Sequence, residues 1–304
     1  MNKYHTPVML RECIEGLAIH ADGIYVDVTF GGGGHSREIL KHLGENGRLL
    51  AFDHDADAQQ NIPADGRLTF IDQNFRYLKN YCRLNNAMPV DGILADLGVS
   101  SHQFDQPERG FSTRFDADLD MRMDQSSALT AKMILNTYKE EDLHRIFGMY
   151  GEVKNAKSLA RTVVTARLNA PIDTVARFKE AIQGLMPRGK ENKYMAQVFQ
   201  ALRIEVNQEL EALQEFIVQA ADILKDGGRL VVMSYHSLED RLVKNYINTG
   251  KFKGEVNKDF FGNQIKPLSA VTRKPVVASE EEIVQNNRAR SARLRIAVKN
   301  EQPF

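Results

Sequence analysis

The chain has 304 residues, 42% of them hydrophobic and 26% charged, the balance of an ordinary globular protein with two domains or one domain carrying a large insertion. Lysine plus arginine number 40 and aspartate plus glutamate number 40, so the net charge is zero and any attraction to nucleic acid must rest on local patches. Cys13 and Cys82 are the only cysteines and show no metal-ligand spacing, no apolar run approaches the ~18 residues of a bilayer span, and Met1 to Pro7 has no apolar signal core, so a cytoplasmic protein without metal or membrane is expected.

In chain order, Ile24 to Val28 reads as a buried strand that runs into Gly31-Gly32-Gly33-Gly34 and then a helix from Ser36 to Leu43, stopped at Gly44. Four consecutive glycines bring no side chains to a core; they admit positive φ and let a ligand approach the main chain. The loop is close to the dinucleotide fingerprint G-x-G-x-x-G, but Ser36 stands where the third glycine belongs. Arg48 to Phe52 is a second strand ending at Asp53, Leu68 to Ile71 a third, and Gly92 to Leu97 a fourth. Asp27 before the glycine loop and Asp53 after it suit a nucleoside whose ribose hydroxyls need carboxylate acceptors. This pattern favours an S-adenosylmethionine loop over a pyrophosphate loop.

From about Gln103 to Arg203 the strand signal fades. Helical periodicity covers Ala128 to Leu135, Glu140 to Met149, Ala156 to Arg167 and Val175 to Met186, and predicts a helical insertion. Beyond it, Leu210 to Leu224 is a helix stopped by Asp226-Gly227-Gly228, Arg229 to Ser234 a strand, Leu242 to Ile247 part of a helix, and Ala292 to Val298 a late strand. Thr249 to Ser279 reads as irregular.

The groups able to do chemistry fall just past strand ends, where open α/β sheets bind ligands. They are the glycine loop, Asp53, Phe75 as a base-stacking ring, Asp96 to Gln103 with Ser100 and Ser101, and Ser234-Tyr235-His236. Ser237 with Asp240 has the spacing of a capping box. Ser234, His236 and Asp240 do not make a hydrolase, because no G-x-S-x-G elbow is present. Basic residues gather from Arg288 to Arg295 with Lys299, and across the insertion at Arg161, Arg167, Arg177, Lys179, Arg188, Lys190, Lys193 and Arg203. Either group could meet phosphates.

Segments spread over nearly the whole chain resemble the bacterial small-subunit (16S) ribosomal RNA cytosine-N4 methyltransferase family. They are His5 to Leu10, Asp27 to Ser36, Asp91 to Ser101, Arg109 to Ser112, Leu119 to Asp124, Phe199 to Ile204, Ser234 to Arg241 and Asn287 to Ser291. The chain departs from the family pattern at His102, where proline is expected, and at Tyr235, where phenylalanine is common.

The resemblance implies an α/β fold of the class I S-adenosylmethionine-dependent methyltransferases, a Rossmann-like and mostly parallel sheet with helices on both faces. The methyltransferase domain would be residues 1–104 and 205–304, with 105–204 an inserted helical domain that helps hold RNA. Cofactor contacts are implied at Gly33, Gly34, His35, Asp53, Phe75, Asp96 and Gln103. The implied activity is methylation of the N4 amine of a cytidine in the decoding region. The product would be S-adenosylhomocysteine, and the partner small-subunit rRNA in an assembled or late-assembly subunit. No general base is named by the sequence; Asp96, Ser100, Ser234 and His236 are the candidates for accepting the amine proton. Read from residues alone, a hydride-transferring Rossmann enzyme and a non-catalytic RNA-binding factor stay open. A DNA amine methyltransferase would carry a proline-rich motif ending in an aromatic, which Asp96-Leu97-Gly98-Val99 is not.

Overall fold

A computed structural model describes residues 7–98 and 109–301. The chain divides into two compact units, one of residues 1–98 with 210–304 and the other of residues 99–209.

The first unit is built on a seven-stranded sheet. Its strands are β1 (Ile24–Asp27), β2 (Arg48–Asp53), β3 (Leu68–Asp72), β4 (Val90–Asp96), β5 (Leu224–Ser234), β6 (Leu268–Ala270) and β7 (Arg293–Lys299), in the order β3-β2-β1-β4-β5-β7-β6. The pairs β3–β2, β2–β1, β1–β4 and β4–β5 are parallel, and β7 is antiparallel to both β5 and β6. Strand order reverses at β1, between β2 and β4, which opens a crevice at the strand carboxyl ends.

Alternation along the strands divides the core between the two faces. Val26, Leu50, Phe52, Ile93 and Val232 pack on one side with Leu78 and Cys82 of α3 (Leu78–Leu84) and Phe216 and Ile217 of a later helix, Glu209–Ile223. Tyr25, Leu49, Leu94 and Val231 pack on the other with Cys13 and Leu17 of α1 (Leu10–Leu17) and Ile39 of α2 (Gly34–His42). Helix α2 starts two residues before the expected Ser36, because Gly33 at φ 72 makes the turn that launches it. In β5 the pairing jumps from Val90–Leu224 to Gly92–Arg229, so Lys225 to Gly228 form an irregularity inside the strand, with Gly227 at φ 78.

The second unit, within its described residues, is helical: α4 (Ala131–Thr137), α5 (Glu140–Met149), α6 (Ala156–Asn169), α7 (Val175–Ile182) and α8 (Glu191–Asn207). Thr130 and Thr174 cap α4 and α7 by accepting the amides of Met133 and Arg177. Helix α8 was not expected from the sequence, although Tyr194, Met195, Val198, Phe199 and Leu202 bury one face at helical spacing. It carries the chain past the expected domain bound at 204–205, and ends where Gln208 turns left-handed at φ 50. The other expected bound, 104–105, lies outside the described residues.

Helix α9 (Glu209–Ile223) returns the chain to the sheet, followed after β5 by α10 (Ser237–Thr249) and later α11 (Glu280–Gln285). The expected helix at Leu242 to Ile247 is thus the middle of α10, and β6 interrupts the stretch read as irregular.

Candidate active site

Three aspartates close three neighbouring strands: Asp27 on β1, Asp53 on β2 and Asp96 on β4. Each has its own set of partners. Asp27 is 1% exposed and accepts the Ser36 hydroxyl at 2.7 Å and the Thr29 amide at 3.1 Å. It therefore braces the glycine loop from beneath, which corrects its reading as a ribose acceptor. Asp53 accepts the Gly31 amide on Oδ2 at 2.7 Å and the Asp55 amide on Oδ1 at 2.9 Å. One amide on each oxygen leaves lone pairs for a further pair of donors.

Asp96 accepts the Tyr235 hydroxyl at 2.8 Å on Oδ1, its amide donates to Thr29 Oγ1 at 2.7 Å, and its Oδ2 lies 3.8 Å from His35 Nδ1. His35 faces Val8 with its other nitrogen, Nε2, 3.3 Å from the Val8 carbonyl. Pro7 meets the loop as well: a Cβ on Gly34 would come within 2.2 Å of the Pro7 ring. The segment before α1 thus pins the glycine loop, a contact between distant residues that no local signal announces. Gly31 and Gly33 hold φ of 49 and 72, and a Cβ on Gly33 would strike the Phe30 ring at 2.8 Å.

The electrostatics set these carboxyls apart. Burial pushes Asp27 up to about 6, against the hydrogen bonds from Ser36 and Thr29. Burial likewise pushes Asp96 up to about 6, with the charges of Asp27 and Glu239 adding to it. Asp53 is raised by burial despite its two amide donors. His35 supplies no compensating cation at neutral pH, since its own burial lowers its pKa. Elsewhere the protein treats buried acids differently. Burial also disfavours ionised Asp240, yet Arg295 and Arg293 outweigh it and hold its pKa down. Asp91 is held down in the same way by Lys225.

Phe75 begins a short 3₁₀ turn after β3, Phe75–Tyr77, and its partly buried ring meets Phe216 edge-on at 5.4 Å between centroids. At the end of β5, Ser234 is 2% exposed and its hydroxyl points at the Arg293 carbonyl, 3.4 Å away, so it is tied into the sheet. The capping box lies one residue earlier than Ser237 and Asp240 suggested. His236 is the N-cap residue, and Glu239 accepts the Tyr235 and His236 amides at 3.0 and 3.4 Å. Asp240 instead faces β7 and takes Arg295 through two bonds of 2.6 and 3.1 Å. A cavity of about 270 Å³ opens beside this turn, lined by Tyr235, His236, Ser237, Val277, Arg290 and Arg293 among others. Ser100 and Gln103 lie outside the described residues.

The basic groups separate on folding. Arg203 is paired with Glu209, Arg177 with Glu180, and Arg167 donates to the Leu135 and Tyr138 carbonyls. Arg161, Arg188, Lys190 and Lys193 are exposed. Arg109, from a segment the family resemblance rests on, is buried and donates to the Arg122 and Met123 carbonyls, so its role is architectural.

Five parallel strands, an antiparallel β7 beside β5, a glycine loop after β1 and acids closing β1, β2 and β4 define a class I S-adenosylmethionine-dependent methyltransferase. The donor set fits that cofactor, because a ligand carrying a sulfonium and an ammonium brings positive charge to Asp53 and Asp96, with which no lysine or arginine pairs among the described residues. A pyrophosphate would add negative charge to the same place. The chain belongs to the MraW methylase family, which matches residues 2–300. It is 57% identical to the ribosomal RNA small subunit methyltransferase H of Christiangramia forsetii over 98% of both chains. It is 59% identical to the protein of that name from Cytophaga hutchinsonii, over 97% of this chain and 99% of the relative. A solved rRNA methylase from Streptococcus thermophilus aligns over 96% of this chain and 95% of its own, at 13% identity and a TM-score of 0.42.

Proposed function

We propose that this chain methylates the N4 amine of a cytidine in the decoding region of small-subunit (16S) rRNA, using S-adenosylmethionine and releasing S-adenosylhomocysteine. The observation that carries the reading is a group of carboxyls around a glycine loop, Asp27 buried and Asp53 and Asp96 partly exposed, with which no lysine or arginine pairs among the described residues, inside a chain of this family. The cofactor supplies an electrophilic methyl group; the protein supplies position and charge.

The glycine loop with Gly33, Gly34 and His35 holds the amino-acid end, Asp53 accepts the ribose hydroxyls, and Phe75 flanks the base, with Gln103 assigned to the same site from the family resemblance. A cytosine amine is a poor nucleophile because its lone pair is delocalised into the ring. Asp96 is the acceptor that turns an amine N–H away from the line of attack. It stands at a strand end with one oxygen fixed by Tyr235 and the other near His35. Ser234 and His236 give way to it, the first tied to the Arg293 carbonyl and the second at the cap of α10 beside Glu239. The cavity beside Tyr235 and His236 receives the unstacked target nucleotide.

Methylation at the ring carbon would call on a cysteine thiolate. Burial pushes Cys82 up to about 12, and burial with nearby carboxylates pushes Cys13 well above its ordinary value, so neither thiol serves. The protein works in the cytoplasm in this reading, on RNA already assembled or nearly assembled into the subunit; among the described residues no helix is long and apolar enough to cross a membrane.

The test is transfer of labelled methyl groups to small subunits, naked rRNA and duplex DNA. Label in small-subunit RNA is expected. Label in DNA alone would overturn the substrate assignment.

A further inference from the structure

Between α10 and β6 the chain forms a small hairpin that the site above does not use. Lys258 and Gln264 pair as an antiparallel bridge, and the Asp259 amide donates to the Asn263 carbonyl at 2.9 Å. The Asp259 carboxylate ties the tip, accepting the Phe261 amide at 2.9 Å, the Asn263 amide at 2.8 Å and the Asn263 side chain at 3.0 Å. Gly262 takes φ 87 to close the turn. This construction holds up two phenylalanines that bury almost nothing: Phe260 is 98% exposed and Phe261 85%. Their rings meet edge to face, 5.6 Å apart at 86°, so two differently oriented aromatic surfaces face solvent.

Single exposed apolar residues are common, but two adjacent aromatic rings at the tip of a tied turn have no folding role. Their surroundings are basic. Lys251, Lys253, Lys258 and Lys266 lie within the segment against Glu255 and Asp259. Glu255 lies 3.9 Å from Lys251 and Asp259 is engaged in the turn, while Lys253 and Lys258 are exposed. In a protein of zero net charge this is a local positive patch.

We propose that this hairpin is a docking element for a single-stranded segment of the substrate RNA, with Phe260 and Phe261 stacking on unpaired bases and the lysines reaching the flanking phosphates. The proposal rests on the rRNA reading above and adds a contact surface away from the cofactor loop. An anionic lipid surface suits the hairpin less well, because Asn257, Asp259, Asn263 and Gln264 would have to enter the bilayer with the rings.

The test is binding of purified small subunits, by filter retention, to the wild-type protein and to the double variant Phe260→Ala/Phe261→Ala. The alanine pair is expected to weaken binding about tenfold or more, one stacked base being sufficient for that loss. S-adenosylmethionine affinity and thermal unfolding should stay as in the wild type, since neither ring packs in the core. Phe260→Trp/Phe261→Trp should restore binding and a leucine pair should not. Unchanged binding by the alanine pair would overturn the proposal, as would a leucine pair equal to tryptophan, the mark of an apolar protein contact. Ring-dependent retention on phosphatidylserine vesicles with no ring-dependent RNA binding would overturn it in favour of lipid. Binding is read without chemistry, so a wild-type protein that binds subunits through these rings but methylates nothing would sink the catalytic reading alone.

Discussion

At the scale of single residues, the contrast between aspartates explains the site. Asp91 and Asp240 are folded against a lysine and two arginines; Asp27, Asp53 and Asp96 have no such partner among the described residues. Replacing Asp53 by alanine removes the proposed ribose acceptor and also frees the Gly31 amide. Calorimetry should show S-adenosylmethionine affinity falling at least about tenfold, the loss of one charge-assisted hydrogen bond; unchanged affinity would take Asp53 out of the site. The raised acids also set a pH dependence. Between about pH 4 and 6 the unfolded chain ionises Asp27 and Asp96 before the folded chain does, so the ligand-free protein loses stability as pH rises through that window. A cationic ligand reverses the preference, because it favours the carboxylate form. Affinity for S-adenosylmethionine should therefore strengthen as pH rises from about 5 to 7 and then level off, with proton release on binding near pH 6. S-adenosylhomocysteine, which lacks the sulfonium charge, should show a shallower slope. Equal, flat profiles for the two ligands would contradict this picture of the charges.

At the scale of elements, strands were easier to read than helix ends. The short apolar runs of β1 to β4 are bounded by turn residues, so their carboxyl ends, and with them Asp53 and Asp96, were legible. The cap of α10 lies one residue before the expected Ser237, at His236, an uncommon N-cap, and Glu239 rather than Asp240 supplies the reciprocal carboxylate. Asp240 was thereby freed to join α10 to β7. Its bidentate bond to Arg295 is largely buried, with side chains 9% and 12% exposed, whereas Arg293 is 55% exposed. Asp240→Ala leaves Arg295 without its counter-charge and should cost about 3 kcal/mol in urea unfolding. Arg293→Ala, made at the solvent end of the same cluster, should cost under ~1 kcal/mol. Similar losses for the two variants would mean that the buried pair does not hold this helix to the sheet. Helix α8 shows that a regular buried stripe, Tyr194, Met195, Val198, Phe199 and Leu202, is readable in the sequence although it was not among the helices expected there.

At the scale of the whole molecule, the sheet, the helical unit and the glycine loop follow from periodicity, glycines and acids that lie close together in sequence. What did not follow are contacts between residues far apart. Tyr235 and Asp96 are joined across 139 positions, and Val8 reaches His35 across 27. The scattered arginines of the helical unit looked like a phosphate surface, yet Arg167, Arg177 and Arg203 are spent on carbonyls and carboxylates of their own unit. Phe260 and Phe261 lie in a stretch without periodicity, and it is their exposure in the fold that marks them.

The central claim is that this site delivers a methyl group to an exocyclic cytosine nitrogen, and the modified nucleoside itself tests it most directly. Small subunits lacking the modification should be treated with the protein and S-adenosylmethionine, digested to nucleosides and resolved by mass spectrometry. The account predicts N4-methylcytidine from the decoding region, in amounts that fall at least about a hundredfold with Asp96→Ala, the scale of losing one positioned polar group at the reacting centre. Formation of 5-methylcytidine, or full activity in the Asp96 variant, would contradict it.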